Sequence, residues 1–117
     1  MKRVAFTMRL KPGGLAEYRR LHDAIWPDLV KELEAAGIRN MTIFEHDPVL
    51  FLYSEVEDDG AWDRLWHTAV HDRWGELMNP LMAFRDDGIV DSTPVTEVFH
   101  IEPVGWQAPA DGGRGDG

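Results

Sequence analysis

The chain of 117 residues contains no cysteine. Disulfide staples, thiolate nucleophiles and cysteine-held metal centres are thereby excluded, and a reducing, cytoplasmic location is the expectation. Basic residues are scarce and scattered: 12 Lys and Arg against 21 Asp and Glu leave a net charge of −9. A nucleic-acid binder needs a cationic stripe to displace counterions from phosphates, and anionic lipid would repel this surface too. Neither nucleic acid nor a membrane is therefore an expected partner; a neutral or cationic small molecule fits better. No apolar run approaches the roughly 18–20 residues of a membrane span. The amino-terminal apolar positions are interrupted by Arg9 and Lys11, so this segment reads as a strand and not as a signal peptide. No glycine-rich phosphate loop is present, and no nucleotide is called for.

What is present is enough sequence for one domain with a real core. Residues 3–10 alternate, with Val4, Phe6, Met8 and Leu10 on one side, the pattern of a half-buried strand. Pro12-Gly13-Gly14 punctuates it and opens a helix that runs to Ala36 and stops at Gly37. Residues 38–45 and 49–57 read as an antiparallel hairpin around His46-Asp47-Pro48. After Asp58-Asp59-Gly60, apolar residues at helical spacing from Trp62 to Leu81 mark a second helical region, with Thr68 and Gly75 as places where it could divide. Residues 83–93 read as a polar loop and 95–101 as a last strand. The order is βαββαβ, an α+β ferredoxin-like domain over residues 1–103, followed by a disordered tail over 104–117. An antiparallel sheet with both helices on one face leaves the other face bare. Phe51, Tyr53, Phe99 and Ile101 are more bulk than a solvated face should carry, so a homodimer packed sheet on sheet, a dimeric α/β barrel, is expected.

The most informative stretch is residues 17–27. Tyr18, His22 and Trp26 recur every four residues and would share one helix face. Pro27 has no N–H for the Asp23 carbonyl and forces a kink or restart there, with the Trp26 indole expected to bury against the sheet. A histidine between two amphipathic aromatics suggests the wall of a polar pocket. Asp23 points about 100° away from His22, which argues against a carboxylate orienter from this helix. Trp62 and Trp66 lie in a regular stripe and are expected in the core. His67 and His71 have the spacing of a helical metal pair, but no Glu follows the first and no third ligand is evident, so no metal is expected. His46 reads as a turn residue, and His100 on the last strand is expected to face the same cleft as His22.

These residues carry a resemblance. Glu17-Tyr18-Arg19-Arg20 followed by His22, Ile25-Trp26-Pro27-Asp28-Leu29, Arg73-Trp74 followed by Met78 and Met82, and Val98-Phe99-His100 are similar to the L-rhamnose mutarotase family, over about residues 3–101. The resemblance implies interconversion of the α and β anomers of a deoxyhexose, with His22 as general acid and Tyr18 in the sugar site. Family members often carry a second tryptophan directly after the one matching Trp74 and an aromatic near the position of Met41. Both are sugar-contacting places, so Trp74, Gly75 and Met41 are the implied substrate positions, and the sugar is left open between L-rhamnose and a related deoxysugar. No cofactor is implied. Two other readings share this fold: a monooxygenase or heme-type enzyme, and a non-catalytic dimeric binding protein.

Overall fold

The structure is a computed structural model that describes residues 1–109. Four strands form one antiparallel sheet: β1 (Lys2–Arg9), β2 (Ile38–His46), β3 (Val49–Val56) and β4 (Ser92–Val95), in the order β2-β3-β1-β4. Four helices, α1 (Leu15–Asp23), α2 (Pro27–Ala36), α3 (Ala61–Trp66) and α4 (Ala69–Met78), with a short 3-10 turn at Asn79–Leu81, connect them. This is the ferredoxin-like arrangement, each connecting helix being a broken pair. No helix among the described residues is long and apolar enough to cross a membrane.

Strand alternation sets the two faces. On β3, Leu50, Leu52, Ser54 and Val56 are buried, while Phe51 points the other way and is exposed. β1 pairs with β3 through Phe6 opposite Leu52 and Thr7 opposite Phe51, so inward and outward sets stay aligned across the sheet. Ser54 is fully buried, and its hydroxyl accepts a hydrogen bond from the Trp62 indole N–H at 2.9 Å. That bond ties α3 to the sheet, and the Trp62 ring meets Phe6 edge-on at 5.6 Å.

The long first helix expected from periodicity is two helices. Residues before proline avoid the helical region, and Trp26 obeys this with φ −70° and ψ 131°. Pro27 then occupies the first turn of α2, where its missing N–H costs nothing. Trp26 is therefore not on the helix of Tyr18 and His22, and the ring it meets is Trp74 of α4, edge-on at 5.2 Å, where a contact with the sheet was expected. Gly37 ends α2 with φ 96°, a conformation only glycine adopts without strain. The Arg64 guanidinium of α3 donates to the Ala36 carbonyl at 2.8 Å, satisfying one carbonyl that the helix end leaves free.

The second helical region divides at Thr68, whose hydroxyl accepts the His71 backbone N–H at 3.1 Å and caps α4. Gly75 divides nothing; it lies inside α4. The last strand is displaced from the expected 95–101 to Ser92–Val95, which takes in the end of the supposed loop. Pro94 sits opposite Phe6, tolerated because β4 is an edge strand. Residues 96–101 carry no strand pairing, and Val98 and Phe99 are exposed. The expected loop 83–93 is partly ordered by a bridge between Phe84 and Val90, and a second bridge between Leu10 and Met82 precedes it. Of the expected tail, residues 104–109 include a turn closed by the Trp106 N–H on the Pro103 carbonyl; the rest lies outside the described residues.

Candidate active site

The site grows from the last turn of α1. His22 is the penultimate residue of that helix, and its Nδ1 lies 2.8 Å from the backbone carbonyl of Tyr18, one turn earlier. A carbonyl only accepts, so Nδ1 carries the proton and donates. In the neutral ring this leaves Nε2 as a free base on the opposite side. The backbone does the orienting that a carboxylate does elsewhere. The Tyr18 ring lies against the imidazole at 4.1 Å with a 31° tilt, and Trp74 meets it edge-on at 5.2 Å. His22 is thus clamped between α1 and α4, and Trp74 is held in turn by Trp26.

Burial sets the protonation states. Desolvation pushes the His22 pKa below the ordinary imidazole value, opposed in part by the Tyr18 carbonyl and the Asp23 charge. The neutral form therefore dominates at neutral pH. Tyr18 is 6% exposed, and burial pushes its hydroxyl up to about 12. It stays a neutral hydroxyl, able to donate and accept hydrogen bonds but not to act as a base.

His22 stands between two concavities. The first, about 110 Å³, lies between the helices and the sheet and is lined mainly by aromatic and aliphatic side chains. The second, about 600 Å³ and shallower, lies beyond α1 and shares Tyr18, His22, Met41 and Ile43 with the first. The five residues implied as site positions, Tyr18, His22, Met41, Trp74 and Gly75, all line the first cleft. They come from three elements: α1, the inward side of β2, and α4.

Three more residues that sequence reasoning assigned elsewhere line it too. Trp62 does so while bonded to Ser54. Trp66 is 50% exposed instead of core, because α3 ends there and the supposed continuous stripe does not exist. His71 packs on Trp66 with ring centroids 4.3 Å apart, and burial lowers its pKa against the opposing charge of Asp72. Thr68, already a candidate break in the sequence, decides the histidine spacing: once its hydroxyl caps α4 and that helix starts at Ala69, His67 lies at the end of α3 and His71 on α4. His67 is then exposed on α3's end, 2.7 Å from the Asp63 carbonyl, while His71 turns to the cleft. His100 does not join His22. It bonds Glu102 at 3.0 Å beside Arg3, Tyr53 and Glu97 on the outer face of the sheet. His46 ends β2 next to the hairpin turn, exposed.

The family model for L-rhamnose mutarotase (rhaM) matches residues 3–101, which includes every element of this site. The chain belongs to the L-rhamnose mutarotase family. The L-rhamnose mutarotase of Oceanobacillus iheyensis is 38% identical over 104 residues, covering 87% of this chain and all of that protein. The solved L-rhamnose mutarotase of Formosa agariphila superposes with a TM-score of 0.74 at 30% identity, covering 87% of this chain and 100% of that one. A dimeric ferredoxin-like protein from an uncultured marine organism shares the fold alone, with a TM-score of 0.56 at 14% identity over 86% of this chain and 91% of that one. L-rhamnose mutarotases are carbohydrate isomerases, and the monooxygenase and heme readings reduce to a fold held in common.

Proposed function

We propose that this chain interconverts the α and β anomers of L-rhamnose or a closely related sugar, with His22 as the acid–base residue and Tyr18, Met41, Trp74 and Gly75 forming the sugar site. The observation that carries the reading is the Nδ1 bond from His22 to the Tyr18 carbonyl, because it presets one nitrogen as a base at the edge of an aromatic cleft.

Mutarotation is a proton exchange between two oxygens on one carbon. Nε2 of neutral His22 takes the proton of the anomeric hydroxyl, the bond from C1 to the ring oxygen breaks, and C1 becomes the carbonyl carbon. The imidazolium delivers its proton to the departing ring oxygen. Rotation about the C1–C2 bond and the reverse sequence give the other anomer, and no atom is gained or lost. Because both oxygens sit on C1, one nitrogen serves both. Trp74 and the Tyr18 ring offer flat surfaces to the C–H-rich face of a deoxysugar, and the Tyr18 hydroxyl offers a polar contact.

The proposal includes a homodimer in which a second copy covers the outer face of the sheet. Exposed Phe44 and Phe51 sit opposite one another on β2 and β3, and Val95 and Phe99 add to the same apolar surface. The dimeric state named for the marine fold neighbour supports this. A cytoplasmic location completes the reading, supported by the absence of cysteine.

The test is anomer exchange followed by saturation transfer between the C1 protons of α- and β-L-rhamnose. Exchange well above the buffer rate is expected from the wild-type protein, with loss in the His22→Ala variant. Failure to accelerate any of a panel of deoxyhexoses and pentoses defeats the enzyme reading and leaves the silent binding protein standing.

A further inference from the structure

One wall of the cleft has features the proton relay does not use. His71, Gly75 and Asn79 are four residues apart, so they form a single stripe along α4 and its continuation, and all three line the cleft. Trp74, next to Gly75, carries the edge contact to His22. The stripe therefore flanks whatever occupies the space beside the imidazole.

Gly75 has no conformational reason to be glycine. Its φ is not positive, and a Cβ placed on it meets no atom within 4 Å. A glycine inside a helix is less stable than alanine by about 0.5–1 kcal/mol. What its missing side chain leaves is open volume on the cleft wall. His71 stands one turn before that volume. Its position is fixed twice, by the Thr68 cap on its backbone N–H at 3.1 Å and by its ring against Trp66. Among the described residues its ring nitrogens make no hydrogen bond, although the ring is half-buried. The Asn79 amide, one turn after Gly75, is likewise unengaged among the described residues and solvent-facing.

A neutral imidazole offers one donor and one acceptor, and a primary amide offers both. A hydroxyl, which also donates and accepts, complements them. A methyl group in this space would strip water from His71 and return no hydrogen bond. An anion would meet no cation here. Relative to a 6-deoxyhexose, the one position at which a sugar of the same configuration can carry an additional hydroxyl is C6.

Resting on the mutarotase reading, we infer that the His71–Gly75–Asn79 stripe is a hydroxyl subsite, and that this chain prefers an aldohexose bearing a hydroxymethyl group where L-rhamnose has its methyl. His71 is then a specificity-determining contact, separate from the proton relay at His22.

The experiment compares anomer exchange of L-rhamnose with that of L-mannose, which differs from it by the C6 hydroxyl alone. The wild-type protein, His71→Phe and Gly75→Leu are used. Phenylalanine keeps the packing on Trp66 and removes the nitrogens; leucine fills the volume and leaves His71 in place. The wild-type kcat/KM is expected to favour L-mannose. Each variant lowers the L-mannose to L-rhamnose ratio by about tenfold or more, the scale of one hydrogen bond lost at a buried group, and for His71→Phe the loss sits mainly in KM. A wild-type preference for L-rhamnose, or variants that depress both sugars equally, overturns the inference while leaving the mutarotase reading intact. Acceleration of neither sugar by the wild type overturns both.

Discussion

Replacing His22 by alanine removes the one group the proposed mechanism uses to move a proton, and the structure sets what else is lost. The imidazole is held by the Tyr18 carbonyl at 2.8 Å, the Tyr18 ring at 4.1 Å and Trp74 at 5.2 Å, so truncation leaves a ring-sized hole open to the cleft. A positioned acid or base contributes about 10²–10⁴ in rate, which at about 1.36 kcal/mol per tenfold is about 2.7–5.4 kcal/mol of transition-state stabilisation. Folding suffers less, because the ring is only half-buried and water can enter the hole; urea denaturation checks that the variant is native. Saturation transfer on L-rhamnose is then expected to show the exchange rate falling by that factor, with free imidazole added to the buffer restoring part of it. The pH profile supplies an independent sign. Burial holds the His22 pKa below its ordinary value of about 6.5, and the relay starts from the neutral ring. Activity should therefore be flat above pH 7 and fall with acid along a limb whose midpoint lies below 6.5. The Tyr18 hydroxyl, at about 12, adds no limb in the working range. An alanine variant within about tenfold of the wild type, or activity that rises on acidification, refutes the mechanism.

Other expectations follow from the packing. Ser54→Ala strands the Trp62 indole N–H beside the sheet and should lower stability by about 1–3 kcal/mol, read as a shift in the urea midpoint at constant slope. His22 and His71 both have pKa values lowered by burial, so the unfolded chain binds more protons than the native one as pH falls below about 6.5. Stability is expected to be full above that pH and to decline as pH falls through the two native pKa values. His71→Phe should flatten the decline measured by urea titrations between pH 8 and 5.5, and an unchanged slope counts against it. Phe44→Glu together with Phe51→Glu places charge on the exposed outer face of the sheet, and sedimentation should show the dimer converted to monomer. A wild-type protein that already sediments as a monomer at micromolar concentration rejects the proposed interface.

Which residues could be read from the sequence depended on where the helices break. The strands were legible because period-two alternation survives with one face buried: Val4, Phe6 and Met8 of β1 and Leu50, Leu52 and Val56 of β3 all face the helices. Tyr18 and His22 were legible together because both lie on α1, one turn apart, before the helix ends at Asp23. Past Pro27 and past Thr68 the phase of the helix is reset, and residue spacing counted across either point carries no geometry. Trp26 lost its place on the His22 face for that reason. Trp66 lost its place in the core, and the apparent pairing of His67 with His71 dissolved. The end of the sheet failed differently: the strand lies at Ser92–Val95 and not at 95–101, and its Pro94 is accommodated because β4 is an edge strand paired with β1.

The same breaks build the site. A helix that continued through residue 27 would carry Trp26 along on α1, one turn beyond His22, whereas the restart frees it to brace Trp74 from the side. Trp74 can then meet His22 with its edge, and α4 can present His71 and Gly75 to the cleft. These contacts join residues about fifty apart in sequence, and no local pattern encodes them. What the sequence does encode is the interruption: a proline that only the first turn of a helix tolerates, and a threonine whose hydroxyl is worth most as a cap. A histidine in the last turn of a helix, five residues before a proline-forced restart, is therefore a stronger sign of a site than a histidine in the middle of an unbroken stripe. Its ring sits where one helix ends, against an indole of α4 that the freed Trp26 braces.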